Sequence, residues 1–431
     1  MFGREEIDEV KSMVEDERSE VVELTSKLVR FETVVPPGET GECVQFVKSY
    51  FDDLGVETTI YERKPKKANL RAKIEGGAGE TVIWLGHLDV VPAGSLENWS
   101  HDPFKGEVVD GRVYGRGTTD MKGSCASAMV AAKVLASIME RTEVKESLPT
   151  VEFWFTCDEE IGAVDGTRWL AGEGLFKGEV CVIGDSFGSL PTDPWVDVGC
   201  KGYIRVLLRA RGKTAHGGVP FLGENAIERL LEAVKHVKEV GNYPLDLPED
   251  VEPIAESSTE FLLRFPGLTE AQREAAKKVF WYPTVSLNII RGGVKVNVVP
   301  DEAEAVFDIR ITPGHPVWKV EQVIRGLVKD SGVEVEVAGT REGFYERLDS
   351  RAVRSMMDAV EATLGAKPHP KILTGTTDGV HVERISKIPC VGFGAGVRGV
   401  AHAPDEYVTV ENLVMAAKVY AVFPFIWARN T

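Results

Sequence analysis

The sequence has few of the features that mark secreted or membrane-spanning proteins. Its six cysteines lie far apart along 431 residues, without a C-x-x-C pair, which argues against a disulfide framework or a cysteine zinc site. No stretch reaches the roughly 18 uninterrupted apolar residues that a transmembrane helix needs. The N-terminus is charged from Arg4 onward and does not match a secretory signal. We therefore expect a cytoplasmic protein with free, mostly buried thiols.

Positive charge is also scarce. The chain has 50 Lys and Arg residues against 67 Asp and Glu residues, which gives a formal net charge of −17. Because such a surface repels polyanions, we expect neither nucleic acid nor a membrane as a partner. Internal repeats and long low-complexity tracts are lacking as well. At 431 residues the chain exceeds one ordinary hydrophobic core, and this length predicts two domains.

The chemistry is concentrated in residues 86–123, which read GHLDVVPAGSLENWSHDPFKGEVVDGRVYGRGTTDMKG. His87 and Asp89 open this stretch and Asp120 lies near its end, so an imidazole and two carboxylates flank a glycine-rich loop. A zinc-type ion accepts both ligand types, and a further carboxylate can orient the imidazole. Residues two apart on an extended segment share a side, so we expect Asp89 to hold the His87 ring. Taken alone, the triplet is more typical of a surface histidine.

Four short apolar runs each lead to a histidine or a carboxylate. His87 follows TVIWL, residues 158–160 (DEE) follow VEFWFTC, Asp185 follows VCVIG, and His402 ends the glycine-rich loop after PCVGF. Such runs are typical of buried strands, and open α/β sheets bind ligands at the carboxyl ends of their strands. We therefore predict that these side chains meet at one sheet edge. The alternatives are an acidic surface loop at residues 158–160 and a turn or helix cap at Asp185.

In this order and at these intervals, the motifs HLD, GRGTTDMKG, DEEIG, GDS and AHAPDEY resemble those of the M20 family of zinc aminoacylases and peptidases. The resemblance covers most of the chain and is narrowest to the branch of acetylornithine deacetylase and succinyl-diaminopimelate desuccinylase. It implies two Zn²⁺ ions per subunit, which Co²⁺ or Mn²⁺ could replace. In the implied arrangement His87 and Asp185 hold one ion, Glu160 and His402 hold the other, and Asp120 bridges both.

The same resemblance implies three catalytic residues outside the metal ligands. Glu159 is the general base, which takes a proton from the water shared by the ions and passes it to the leaving amine. Asp89 orients His87. His216, in GKTAHGGVP, reaches into the partner subunit of a homodimer and stabilises the tetrahedral oxyanion; a turn histidine is the alternative.

Three substrate-binding residues are implied in the same way. Asn297 in KVNVVP and Arg310 in FDIR match positions that bind the substrate carboxylate, for which a guanidinium fork is well suited. Thr377 in GTTDG matches a loop that lines the amino-acid pocket. A strand-surface charge at Arg310 and a plain tight turn at Thr377 are the alternatives.

The expected fold is α/β, with a zinc-peptidase-like mixed sheet flanked by helices. Residues 203–338 read as β-α-β-β-α-β, the ferredoxin-like motif, which the resemblance implies is an inserted dimerisation and lid domain. The predicted domains are the first part of the catalytic domain at 1–198, the insert at 199–341 and the second part of the catalytic domain at 342–431. Residues 243–283 lengthen one connection of the insert well beyond the usual few residues.

We therefore expect a dizinc amidohydrolase that deacetylates or desuccinylates an N-acyl amino acid, a small-molecule substrate. A dipeptidase or carboxypeptidase of the same family, acting on short peptides, remains an alternative because only the pocket would differ. A catalytically silent interaction protein that keeps the fold is the alternative from another class. Loss of Glu159 or of a metal ligand would favour it, and all of these residues are present.

Overall fold

The computed structural model describes residues 2–430, which divide into two compact units. The larger unit runs up to Val198, resumes over Glu346–Lys371 and continues from Thr377. The smaller unit comprises Gly199–Tyr345 and Ile372–Thr376. It therefore contains the predicted insert, 199–341, together with residues 342–345 and 372–376.

The strands of the described residues are β1 (Glu57–Lys64), β2 (Lys67–Ile74), β3 (Thr81–His87), β4 (Glu107–Val109), β5 (Arg112–Tyr114), β6 (Thr150–Thr156), β7 (Val180–Ile183), β8 (Trp195–Cys200), β9 (Gly202–Arg211), β10 (Thr284–Gly292), β11 (Glu302–Ile311), β12 (Val333–Arg341), β13 (Phe344–Tyr345), β14 (His369–Leu373), β15 (Cys390–Gly392) and β16 (Tyr407–Thr409).

The helices are α1 (Arg4–Asp16), α2 (Arg18–Val29), α3 (Gly41–Asp53), α4 (Gly123–Ile138), α5 (Thr142–Ser147), α6 (Thr167–Gly172), α7 (Ala226–Lys238), α8 (Glu252–Leu263), α9 (Glu270–Lys278), α10 (Val317–Val328), α11 (Arg351–Leu364), α12 (Gly379–His381) and α13 (Val410–Arg429).

The main sheet brings the four predicted apolar runs side by side. Nine strands form it in the order β1-β2-β6-β3-β7-β15-β8-β13, with β14 paired to β8. Within it β6, β3, β7 and β15 are parallel neighbours. Nearly every residue of these four strands is buried, as expected for parallel strands covered on both faces. Their carboxyl ends therefore lie at one edge, and the predicted α/β fold with a mixed sheet is confirmed.

Two apolar helices form the centre of the helical layer. α13 packs against α4, α11 and α1, and α4 also packs against α2. α13 is the one helix of the described residues long and apolar enough to cross a membrane, yet 83% of its most apolar 18-residue window is buried. It is therefore a core helix of the larger unit. The six cysteines are free and buried.

The smaller unit has the predicted ferredoxin-like order of elements. β9, α7, β10, β11, α10 and β12 follow one another, and the strands form an antiparallel sheet in the order β10-β11-β9-β12. Buried and exposed residues alternate along β9, and the buried set packs with α7 and α10 in one hydrophobic core. The long connection at residues 243–283 carries the helices α8 and α9. This part of the fold prediction is confirmed as well.

Candidate metal centre

The predicted ligands follow the ends of the parallel strands. His87 is the last residue of β3, Glu160 lies in a short 3-10 turn after β6, and Asp185 comes two residues after β7. Asp120 lies in the turn that leads into α4. Gly117, the residue just before this turn, has φ +87°. A Cβ atom at Gly117 would also lie 2.6 Å from Val90 Cγ1, so the turn requires glycine there.

The carboxylate of Asp120 lies between two imidazoles. Its Oδ1 is 3.1 Å from His87 Nε2, and its Oδ2 is 3.0 Å from His402 Nε2. His402 Nε2 is also 3.2 Å from Glu160 Oε1. Each oxygen of Asp120 thus faces a different histidine, so a cation beside each histidine would have one oxygen of Asp120 within reach.

Ligand atoms of His87, Asp120 and Glu160 all lie within 4.8 Å of one another. Asp185 adds a third carboxylate, and its Oδ1 is buried without a hydrogen-bond partner among the described residues. A buried carboxylate oxygen left without a partner is costly unless a cation balances it. Two imidazoles and three carboxylates form a donor set that suits zinc or a similar divalent ion. The residues present therefore fit the implied metals.

The electrostatics of the cluster point the same way. Burial, with the charge of Asp120 nearby, raises the pKa of Glu160 and raises that of Asp185 well above its usual range. Hydrogen bonds to Asp120 and Glu160 raise the pKa of His402 to about 10. Burial opposes protonation of His87, but the carboxylates around it outweigh burial and raise its pKa. The charged forms of these crowded carboxylates are thus disfavoured without a counter-charge, and divalent cations would stabilise them.

Asp89 holds more than the His87 ring. His87 Nδ1 lies 3.0 Å from the backbone oxygen of Asp89 and 3.6 Å from its carboxylate, so the carbonyl accepts the ring hydrogen bond. The backbone N–H groups of Glu159 and Glu160 donate to the carboxylate oxygens of Asp89 at 3.2 and 3.1 Å. A proton on Nδ1 leaves Nε2 of His87 free to bind a cation. Asp89 therefore fixes the candidate ligand His87 and the turn that carries the predicted base.

Glu159 lies beside the cluster, without an ion pair in the structure's described residues. Burial of its carboxyl group, with Asp378 and Glu160 close by, raises its pKa well above the usual range, although His87 opposes this. Asp378 is itself buried and accepts hydrogen bonds from the hydroxyls of Thr156 and Thr167. Glu159 thus has a carboxyl group of raised pKa beside the candidate metal ligands, which is compatible with the predicted role of a general base.

Two functional candidates escaped the sequence analysis although they lie inside its motifs. Glu406, in AHAPDEY, is fully buried and accepts three backbone N–H groups of the Asp120 turn. Arg116, in GRGTTDMKG, is buried against Glu406 and donates to the His402 carbonyl. The sequence offered one signal for them, which is a charged residue close to a predicted ligand in each motif. Because Arg and Glu are rarely fully buried unless they are paired, such a residue near a buried site is a candidate for an ion pair.

In the smaller unit the structure brings His216 and Asn297 together. The N–H of Gly217 donates to the Asn297 carbonyl at 2.8 Å, and His216 forms a bridge with Val298. The N–H of Gly218 donates to His216 Nδ1 at 3.0 Å. In the neutral ring the proton therefore sits on Nε2, which is then a hydrogen-bond donor.

Arg310 is fixed from two sides within the smaller unit. Its Nε and Nη2 donate to the two carboxylate oxygens of Asp308 at 2.5 and 3.2 Å. Its Nη1 lies 3.3 Å from the hydroxyl of Thr376. Thr377, the threonine predicted at the pocket, instead accepts the N–H of Gly379 at 3.3 Å. Thr376 is therefore the threonine in contact with Arg310.

Comparisons with known proteins show the family and the fold of the chain. A model of the peptidase family M20/M25/M40 matches residues 83–424. A succinyl-diaminopimelate desuccinylase of Rhodospirillum centenum is 31% identical over 357 residues, which cover 82% of this chain and 82% of that protein. The M20 family metallo-carboxypeptidase Sso-CP2 of Sulfolobus solfataricus has the same fold, with a TM-score of 0.79 at 21% identity over 95% of this chain and 99% of that one. Human carnosine dipeptidase 1 gives 0.78 at 18% identity, over 98% and 99% of the two chains.

Proposed function

We propose a reaction for this chain from one premise: the chain belongs to peptidase family M20/M25/M40 and is a metallohydrolase. The reaction is hydrolysis of the amide bond of an N-acyl amino acid, of the deacetylase or desuccinylase type. The observation that carries this proposal is Asp120, whose two oxygens face His87 and His402. The name of the 31% identical relative supports the acyl group as the part removed.

Two Zn²⁺ ions per subunit fit the ligand set, and Co²⁺ or Mn²⁺ would fit the same atoms. His87 and Asp185 would hold one ion, Glu160 and His402 the other, and Asp120 both. When bound, such a pair of ions lowers the pKa of a shared water and polarises an amide carbonyl.

In this scheme Glu159 stays off the metals and moves the proton. Its carboxylate takes a proton from the attacking water and delivers it to the amine nitrogen as the amide C–N bond breaks. Asp89 keeps Glu159 in place through the backbone N–H bond at 3.2 Å. A base held within a fraction of an ångström of its working position avoids a cost of reorganisation during the reaction.

His216 is proposed as the oxyanion donor, acting in the active site of the partner subunit of a homodimer. Its Nδ1 accepts the Gly218 N–H, so Nε2 carries the proton that an oxyanion would accept. Asn297 and Arg310 are proposed to bind the substrate carboxylate, with Thr377 lining the pocket. The Asp308 pair holds the guanidinium of Arg310 in one orientation, and Nη1, near the Thr376 hydroxyl, is the nitrogen outside that pair.

A dipeptidase or carboxypeptidase is the second candidate, because Arg310 would bind the terminal carboxylate of a peptide equally well. The fold likenesses to Sso-CP2 and to carnosine dipeptidase 1 are compatible with either reaction. A silent interaction protein is the third, and it predicts that Glu159→Gln changes nothing. The free cysteines and acidic composition support a cytoplasmic location with a small-molecule substrate.

The test is a hydrolysis panel for the zinc-reconstituted protein. It holds N-succinyl- and N-acetyl-amino acids beside simple dipeptides, with a chelator-treated sample and Glu159→Gln as controls. We expect chelator-sensitive cleavage of the acylated amino acids, with turnover lost by roughly 10²–10⁴-fold in Glu159→Gln while zinc still binds. Preference for dipeptides would move the assignment to peptidase. A protein that takes up no zinc would refute the metal centre.

A further inference from the structure

We infer that Arg116 and Glu406 are positioning residues that hold Asp120 and His402 at the separation at which both can bind one cation. This inference rests on the metal centre of the proposed function and concerns the backbone around its ligands. The two ligands come from different loops, one before α4 and the other before β16. Their separation therefore depends on what joins these loops.

Glu406 joins the Asp120 turn to the His402 loop through backbone bonds. Its Oε1 accepts the N–H groups of Gly117, Thr119 and Asp120 at 3.1, 3.0 and 3.1 Å. The side chain is 0% exposed, so water does not compete for these bonds. Three donors converging on one carboxylate oxygen fix the path of the turn, and with it the direction of the Asp120 side chain.

Arg116 extends the connection to the other ligand. Its Nη1 donates to Glu406 Oε2, and its Nη2 donates to the backbone oxygen of His402 at 3.1 Å. The guanidinium is 2% exposed and lies 5.3 Å from the centroid of the Trp99 ring. One buried ion pair therefore contacts the backbone of both ligand-bearing loops.

The backbone conformation of His402 explains why the contact from Arg116 is needed. His402 has φ +63°, a left-handed conformation that a residue with a side chain adopts only when its surroundings enforce it. The His402 side chain is 51% exposed, so core packing alone does not fix the conformation of this residue. The bond from Arg116 to the His402 carbonyl supplies the constraint on the backbone.

Fold stability alone is a weak explanation for the pair. β5 and β16 already join the two loops, with Tyr114 opposite Tyr407. A buried ion pair often stabilises a fold no better than apolar residues of the same size would. What the pair adds is a defined distance between two ligands, and outer contacts of this kind typically alter metal affinity or activity by about 10–100-fold.

The test compares stepwise metal binding by the chelator-stripped wild-type chain with that of three variants. Glu406→Gln keeps an acceptor oxygen but turns an amide NH₂ toward Arg116. The double variant Arg116→Met/Glu406→Gln removes both charges, so folding is not burdened by an unpaired buried charge. His402→Ala identifies which of the two zinc equivalents the histidine holds. Competition with a chromophoric chelator gives both affinities, and Co²⁺ absorption reports the ligand geometry.

A control Arg–Glu pair, partly exposed, lies elsewhere in the same unit. Arg351 donates to both oxygens of Glu80 at 2.6 and 2.7 Å and lies 3.8 Å from the centroid of the Trp427 ring. Glu80 precedes the first residue of β3, whereas His87 is its last, so this pair lies at the opposite end of the strand. Arg351→Met/Glu80→Gln should leave both zinc affinities unchanged.

We expect both Glu406 variants to weaken the equivalent identified by His402→Ala by about 10–100-fold and to change its Co²⁺ spectrum. The other equivalent, which also depends on Asp120, should weaken less than the one identified by His402→Ala. Wild-type affinities and spectrum in a folded double variant would overturn the inference, as would equal weakening in the control pair. If the wild-type chain itself binds no metal, the proposed function fails first, so the two failures are distinguishable.

Discussion

Replacing Asp89 by Asn keeps the shape of a fully buried side chain and removes its charge. The two carboxylate oxygens of Asp89 accept the backbone N–H groups of Glu159 and Glu160 at 3.2 and 3.1 Å. An asparagine offers one oxygen and one NH₂ group. One of the two backbone donors in Asp89→Asn therefore faces another donor, and the turn that holds the base and a ligand loses a contact.

The size of the effect follows from these bonds. A hydrogen bond to a charged group contributes about 1.5–3 kcal/mol, and a buried donor without a partner costs about 1–3 kcal/mol. A loss of about 1.5–3 kcal/mol at the turn corresponds to a factor of about 10–150 in an equilibrium constant or a rate. Because the turn carries both Glu159 and Glu160, we expect kcat/KM and the affinity for one zinc equivalent to fall together by about this factor.

The assay is steady-state hydrolysis of the best substrate at saturating zinc, with a zinc titration of the stripped protein in parallel. Glu80→Gln, a carboxylate-to-amide change at the far end of β3, is the control and should leave both quantities unchanged. If kcat/KM and both zinc affinities of a folded Asp89→Asn variant stay within about threefold of wild type, Asp89 does not hold the turn as argued.

Three further experiments test other parts of the structure by substitution. Asp185→Asn should abolish one of the two zinc equivalents yet raise the thermal midpoint of the metal-free protein, because a buried carboxylate with an unpartnered oxygen is removed; an unchanged zinc stoichiometry would contradict this. His216→Ala and Glu159→Gln should each be inactive alone, and mixing the two should restore part of the activity if His216 acts in the partner subunit; mixtures without recovery would argue against a shared site. Burial raises the pKa of Glu346 from 4.5 to about 7, so the neutral acid stabilises the fold below about pH 4.5 and this contribution is lost as the pH rises through 7. Glu346→Gln should therefore flatten the decline in the free energy of unfolding between pH 5 and 8 by about 2–3 kcal/mol in urea titrations, and a profile that matches wild type would refute the assignment.

The strand ends could be predicted because their signal is local. A buried parallel strand is apolar throughout, so TVIWL or VEFWFTC identifies the strand and the next polar residue identifies its carboxyl end. The alternation along β9 likewise shows which face meets α7 and α10. Both patterns depend only on neighbours in sequence. The fold and the strand-end positions of His87, Glu160, Asp185 and His402 were therefore accessible, whereas the place of Asp120 among them rested on the family resemblance.

The contacts around the site residues could not be predicted from the sequence. Many of them involve backbone atoms, which every residue shares, and others depend on a choice between adjacent side chains. Nothing in HLD distinguishes the Asp89 carbonyl from its carboxylate as the partner of His87 Nδ1. In the same way, GTTDG does not tell which of two adjacent threonines faces Arg310, and the structure selects Thr376. These contacts depend on the exact positions of atoms in the loops, which no periodic sequence pattern encodes.

The cluster and its supports together explain why this edge of the sheet is chemically unusual. Burial and mutual repulsion raise the pKa values of Glu159, Glu160 and Asp185, so the site is electrostatically costly when metal-free. Asp89 holds the backbone of Glu159 and Glu160, and Glu406 holds the backbone of Asp120, so these carboxylates do not relieve the cost by moving into water. A structure that is held in an unfavourable charge state gains most from the cations that neutralise it. The supports that make the metal-free site costly are therefore the same ones that favour tight binding of a metal pair.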